Sequence, residues 1–157
     1  MDRYVSAPPD WREPPRGSDE AAWIAWADGL PLFAPFGLRA LAMDEWRGRF
    51  VVEGTASMLN PNGSVNGGVV ALVVDQVMGA VGMRHTEPGS VVNTASLDLR
   101  YQRPAFAPLE ITAEVTKAGR AIVFIDAVVR DHTGRLTNTA AGTMAVVPLR
   151  TAPTPER

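Results

Sequence analysis

Asp75 stands in a stretch, Gly67–Met83, whose only other strongly polar member is Gln76. A loop rich in asparagine and glycine precedes it, Asn60-Pro61-Asn62-Gly63 and then Asn66-Gly67-Gly68, and Thr94 follows further along. A carboxylate in apolar surroundings can take a proton from water or attack an electrophilic carbon. Held by backbone amides, it can equally be structural. Asn60 in Asn-Pro-Asn-Gly has the composition of a turn, Thr94 suits a strand, and Gln76 can satisfy hydrogen bonds close to Asp75.

Bulk properties narrow the chemistry. The chain has 157 residues, 46% of them hydrophobic and 20% charged, which suits one globular domain with a sizeable core. A formal net charge of −2 gives no basic field, so nucleic acid is not an expected partner. With no cysteine and only His85 and His132, the sequence supports neither a thiolate nucleophile, a Ser-His-Asp constellation nor a spaced metal cluster. No metal and no cofactor are expected. The N-terminus has neither the positive segment nor the apolar run of a secretory signal, and a cytoplasmic location is the reading.

The elements that must position these residues follow from periodicity and turn chemistry. Residues 1–17 carry prolines at 8, 9, 14 and 15 and read as an irregular arm. Ser18 with Asp19 and Glu20 predicts a helix N-cap and acidic first turn, and Gly29 before Pro31 the stop. That helix shows Trp23 and Trp26 on one side, either packed on the main body or forming a lid over an apolar ligand. Strand, turn, strand is predicted over Phe36–Thr55, and further strands over residues 91–103, 109–117, 121–131 and 135–147. Gly67–Met83 is too long for a usual strand of about 5–6 residues, so despite its valines it predicts a helix buried on nearly all sides. A membrane span would not welcome its mid-helix carboxylate. The division is therefore an arm with a short helix over residues 1–30, a main domain over 31–149 and a patternless tail over 150–157.

The joint pattern Asn60-x-x-Gly63-x-x-Asn66-Gly67-Gly68, then Asp75, then Tyr101-Gln102-Arg103-Pro104-Ala105, resembles the hotdog-fold acyl-CoA thioesterases of the PaaI type from about Phe36 to Val147. The resemblance implies an α+β fold, a curled antiparallel sheet around one long apolar helix. It implies cleavage of an acyl-CoA or related carrier thioester without a cofactor. It transfers to Gly67 N–H the polarising of the thioester carbonyl, assisted by Asn60, and to Asp75 the role of base or nucleophile. Thr94 falls where relatives carry a water-orienting hydroxyl. One departure is clear: the family's loop usually reads His-Gly-Gly, and here Asn66 stands in place of that histidine. A non-catalytic acyl-CoA binding or regulatory module, its chemistry lost through Asn66, is thus the alternative. A hotdog dehydratase would want a histidine paired with an acid near the helix, and none is offered there.

Helix geometry adds a constraint independent of the family. Eight residues at about 1.5 Å each separate Gly67 from Asp75 by roughly 12 Å along the axis, whereas reacting groups lie within about 3–3.5 Å. If both act on one bond, they belong to different chains, and a homodimer or homotetramer is expected. Alternation along the strand puts Thr94 with Ser96, Asp98 and Arg100, facing away from its own helix. Asn66, Gly68 and Gln76 join the substrate-binding candidates. Arg103, Lys117 and Arg120, with Arg100 beside them, are candidates for the phosphates of coenzyme A or for a solvated face. His85, next to Arg84, sits where a cation complements a helix C-terminus, and His132 sits in a turn.

Overall fold

The computed structural model describes residues 5–6 and 12–150. Its elements, in chain order, are β1 (Val5–Ser6), α1 (Glu20–Asp28), β2 (Leu38–Met43), β3 (Arg47–Val52), α2 (Gly67–Gly82), β4 (Ser90–Tyr101), β5 (Leu109–Ala118), β6 (Ile122–Arg130) and β7 (Leu136–Arg150). Six strands form an antiparallel sheet in the order β4-β7-β6-β5-β3-β2, and β1 adds in parallel to the end of β7. The sheet curls around α2, which touches β3, β4, β5, β6 and β7. This is the expected hotdog architecture, with α1 as its N-terminal helix.

Local chemistry explains the elements. On β5, Leu109, Ile111, Ala113 and Val115 are buried while their neighbours are wetter, the period-two pattern of a half-buried strand. In α2, Val70, Val73, Val74, Val77, Met78 and Val81 are buried. Burial of roughly 1.5–3 kcal/mol for each such side chain outweighs the few tenths of a kcal/mol by which valine disfavours a helix. Residues Gly67–His85 would be long and apolar enough to cross a membrane, but half of that span is buried inside the protein. The sheet allows close approach through small residues. A Cβ on Gly142 would come 2.9 Å from Met78 Sδ, and one on Gly48 2.6 Å from Val81 Cγ2.

Three details differ from the sequence reading. The cap of α1 is Asp19 rather than Ser18: its carboxylate accepts from Ala21 and Ala22 N–H, and an ionised acceptor at the positive helix end is favoured. Within the arm read as irregular, Val5–Ser6 pairs with Leu149–Arg150, which also draws β7 past residue 147. The rest of that arm up to Trp11, and the tail from 151, lie outside the described residues.

The β6–β7 turn is closed by buried Asp131, whose Oδ1 accepts from Thr133 N–H (2.9 Å), Thr133 Oγ1 (2.5 Å) and Arg135 N–H (3.2 Å). The threonine hydroxyl above all, aided by these amides and against the opposing effect of burial, holds the carboxyl below its ordinary value of 3.8. The folded protein therefore keeps this group ionised where the unfolded chain takes up a proton. Its contribution is complete above that ordinary value and fades as pH falls through and below it. Asp131→Asn should lower Tm at pH 7 and flatten the fall of Tm below about pH 4, as followed by thermal melts from pH 7 to 3.

Candidate functional site

The loop before α2 is clamped by its own polar groups. Asn60 Oδ1 accepts from Asn62 N–H (2.9 Å) and Ser64 N–H (3.2 Å), and Asn60 Nδ2 donates to Ser64 Oγ (2.8 Å). Val65 N–H donates to Ala105 O and Asn66 N–H to Met58 O. Much of the hydrogen-bonding capacity of Asn60 is thus spent on loop shape. Asn66 is the N-cap of α2, and its Oδ1 accepts from Gly68 N–H at 2.8 Å. That bond uses Gly68 and leaves Gly67 N–H without a partner among the described residues. An unpaired donor at the positive end of a sixteen-residue helix favours an oxygen carrying negative charge. Tyr101 Oη donates to Gly67 O (2.7 Å), and a Cβ on Gly67 would lie 3.1 Å from the tyrosine ring.

Asp75 is half-buried two turns along α2. Thr94 Oγ1 donates to Asp75 Oδ1 at 2.6 Å, so Thr94 faces its own helix, contrary to the alternation argument. A bulge between Thr94 and Ser96 is the cause: one extra residue shifts the side-chain alternation. Thr94 Oγ1 then reaches the same helix as Tyr101 Oη, although their positions have opposite parity. Asp75 and Thr94 line a cleft of about 280 Å³ together with Gln76, Asn93, Trp26 and Met83. Trp26, edge-on to Trp23 at 5.5 Å, is buried in the core and also lines the cleft, so the tryptophan helix packs on the main body. Arg84 lies 4.6 Å over the Trp23 ring, where burial pushes its guanidinium below the usual arginine value.

Gly67 and Asn60 line a different cleft of about 360 Å³, with Ser64, Tyr101, Arg103 and Asn138. Within one chain the structure brings Thr94 and Gln76 to Asp75, and Asn60 to Gly67, but puts the two groups in separate clefts. The cationic candidates are also dispersed. Arg103 donates to Leu136 O, Arg100 pairs with Asp98 at 3.6 Å, Arg120 lines a third hollow beside His85, and Lys117 is exposed on β5. His85 contacts Glu45 O at 2.8 Å, and His132 Nδ1 lies 3.3 Å from Phe106 O. The sequence reading did not assign roles to Tyr101, quoted only as part of a motif, or to Asn138. For Asn138 no local pattern carried a signal.

Residues 62–138 match the model of the thioesterase superfamily, a span from the helix-capping loop to the cleft residue Asn138. Over that span, just under half of the chain, the sequence is similar to the thioesterase superfamily. A thioesterase family protein from Silicibacter pomeroyi superposes with a TM-score of 0.75 at 21% identity, covering 82% of this chain and 98% of that one. The PaaI protein from the phenylacetic acid degradation operon of E. coli gives 0.71 at 20%, covering 82% and 92%. A hypothetical thioesterase protein with coenzyme A from Streptococcus pneumoniae gives 0.64 at 23%, covering 73% and 88%. No protein with a curated description matches significantly.

The shape of the helix start rests on the Asn66 cap. Asn66→Ala should cost about 0.5–2 kcal/mol of stability, whereas Asn66→Asp or Asn66→Ser should retain most of it. Urea unfolding of the three variants at pH 7 checks the ranking.

Proposed function

We propose that the protein hydrolyses an acyl-CoA or related carrier thioester to the free acid and thiol. The observation that carries this reading is the Asp75 carboxylate, fixed by Thr94 in an open cleft, on a chain whose residues 62–138 match the thioesterase superfamily. With Oδ1 occupied by the threonine hydroxyl, Oδ2 can take a proton from water as the water oxygen bonds to the thioester carbon, or can attack that carbon itself. Negative charge then grows on the carbonyl oxygen, where the unpaired Gly67 N–H at the helix start stabilises it. Collapse breaks the carbon–sulfur bond and the sulfur leaves as a thiolate. It takes up a proton from Asp75 in the general-base route, or from water after direct attack, where a second water then cleaves the acyl–Asp75 anhydride to the free acid.

Two chains complete one site in this reading. Gly67 and Asp75 line separate clefts of a single chain, and a two-fold axis would set the helix start of one subunit beside the mid-helix of the other. Strand β4, twelve residues long, pairs only with β7 among the described residues. Its other edge is open beside Thr94, and an open edge of that length is a ready pairing surface. Coenzyme A in the S. pneumoniae structure supports the thiol assigned here, with Lys117 and Arg120 near the β5–β6 turn as charges for its phosphates. Asn66 keeps the loop and leaves its donor free, which favours the catalytic reading over a binding module.

Asp75→Ala should lower kcat for acyl-CoA hydrolysis by about 10²–10⁴-fold, measured as thiol release. Gly67→Val, which presses on Tyr101, should be equally inactive. Mixing the two variants through unfolding and refolding should restore roughly a quarter of wild-type activity, because half the dimers are mixed and each holds one intact site. Undiminished Asp75→Ala activity would refute the mechanism, and a mixture that stays inactive would refute the shared site.

A further inference from the structure

Asn138 carries the only side-chain atoms, among the described residues, that are buried and without any hydrogen-bond partner: both its Nδ2 and its Oδ1. The residue is 1% exposed and lies on β7, opposite Tyr101 of β4 and Val129 of β6. Neighbouring polar groups are committed elsewhere. Thr137 Oγ1 donates to Val129 O (3.2 Å), and Gln102 Nε2 donates to Thr139 Oγ1 (3.1 Å). Asn138 also forms part of the wall of the cleft that holds Gly67, Val70 and Tyr101. Two independent features therefore meet in one cleft, an unpaired helix-start N–H and an unpaired buried carboxamide. A fold needing only a filler at this place would be more stable with an apolar residue of similar size.

We propose that Asn138 is a specificity residue that hydrogen-bonds a substrate group able both to donate and to accept, a hydroxyl or an amide, while the thioester carbonyl rests on Gly67 N–H. The proposal rests on the thioesterase reading above. A carboxamide presents N–H and C=O side by side. A hydroxyl or amide answers both, whereas a carboxylate satisfies only Nδ2 and an ammonium only Oδ1. A substrate without such a group displaces solvent and leaves the amide unmatched, which is how a polar site rejects an apolar analogue. The matching group belongs either to the acyl part or to the thiol part, whose amides flank the sulfur in a pantetheine-type carrier.

Two matched pairs distinguish these sources: 3-hydroxybutyryl-CoA against butyryl-CoA, and the butyryl thioester of N-acetylcysteamine against that of pentanethiol. For the wild type, kcat/KM should favour the hydrogen-bonding member of one pair by about tenfold. Asn138→Leu should abolish that preference and raise the Tm of the free protein. Asn138→Val serves as a second variant. Ligand-induced Tm shifts with the same four compounds, read on wild type and variants, test the contact even where no thioester is cleaved. Loss of the shift for the hydroxyl or amide compound alone in the variants supports Asn138 as the receptor independently of catalysis. Preferences and shifts equal in wild type and variants, with or without a lower variant Tm, would overturn the proposal.

Discussion

Helix α2 has almost no polar surface, and covering Val70, Val73, Val74, Val77, Met78 and Val81 places strands β3 to β7 around it. The antiparallel sheet can do so because one face of each strand is apolar and glycines at 48 and 142 let the helix come close. Backbone donors at the start of α2 cannot be covered in the same way, since the first turn of a helix has no internal acceptors. Asn66 supplies one acceptor and Gly67 is left without one. The open donor at the helix start is thus a by-product of helix geometry, left by a cap that satisfies its neighbour only.

The same constraint isolates Asp75. An acid on a helix wrapped by a sheet must either meet a donor or reach a cleft, because an unpaired buried charge is costly. Here it does both: Thr94 supplies a hydroxyl at 2.6 Å, and the gap between α2, β4 and Trp26 of α1 keeps the carboxylate within reach of small molecules. The bulge in β4 is what aims the threonine. Without that one-residue slip, the hydroxyl would point off the opposite face of the strand.

Polar groups at the two clefts differ in how fully they are satisfied. Asn60, Ser64 and Asn66 form a closed set of loop and cap bonds, so they hold shape. Gly67 N–H and the amide of Asn138 are left open, so they are where a ligand gains most. Arg103, anchored on Leu136 O, belongs to the first kind, and exposed Lys117 is not tied into either cleft.

Much was legible without coordinates. Strand alternation in Leu109–Val115, the acidic start of α1, the length and greasiness of Gly67–Met83 and the spacing of Asn66, Gly67 and Asp75 are local or periodic features, and local physics fixes them in sequence. The eight-residue gap by itself separates Gly67 from Asp75, because helix rise is constant. What only the tertiary structure decided depends on contacts between distant segments. The Thr94 hydroxyl turns toward α2 through a bulge whose register is set against β7, and Trp26 becomes a cleft wall because α1 packs on β2. Asn138 is stranded without partners because β4, β6 and the start of α2 close around it. A bulge or an orphaned amide leaves no periodic trace, since each arises from how two strands meet rather than from the order of residues in one.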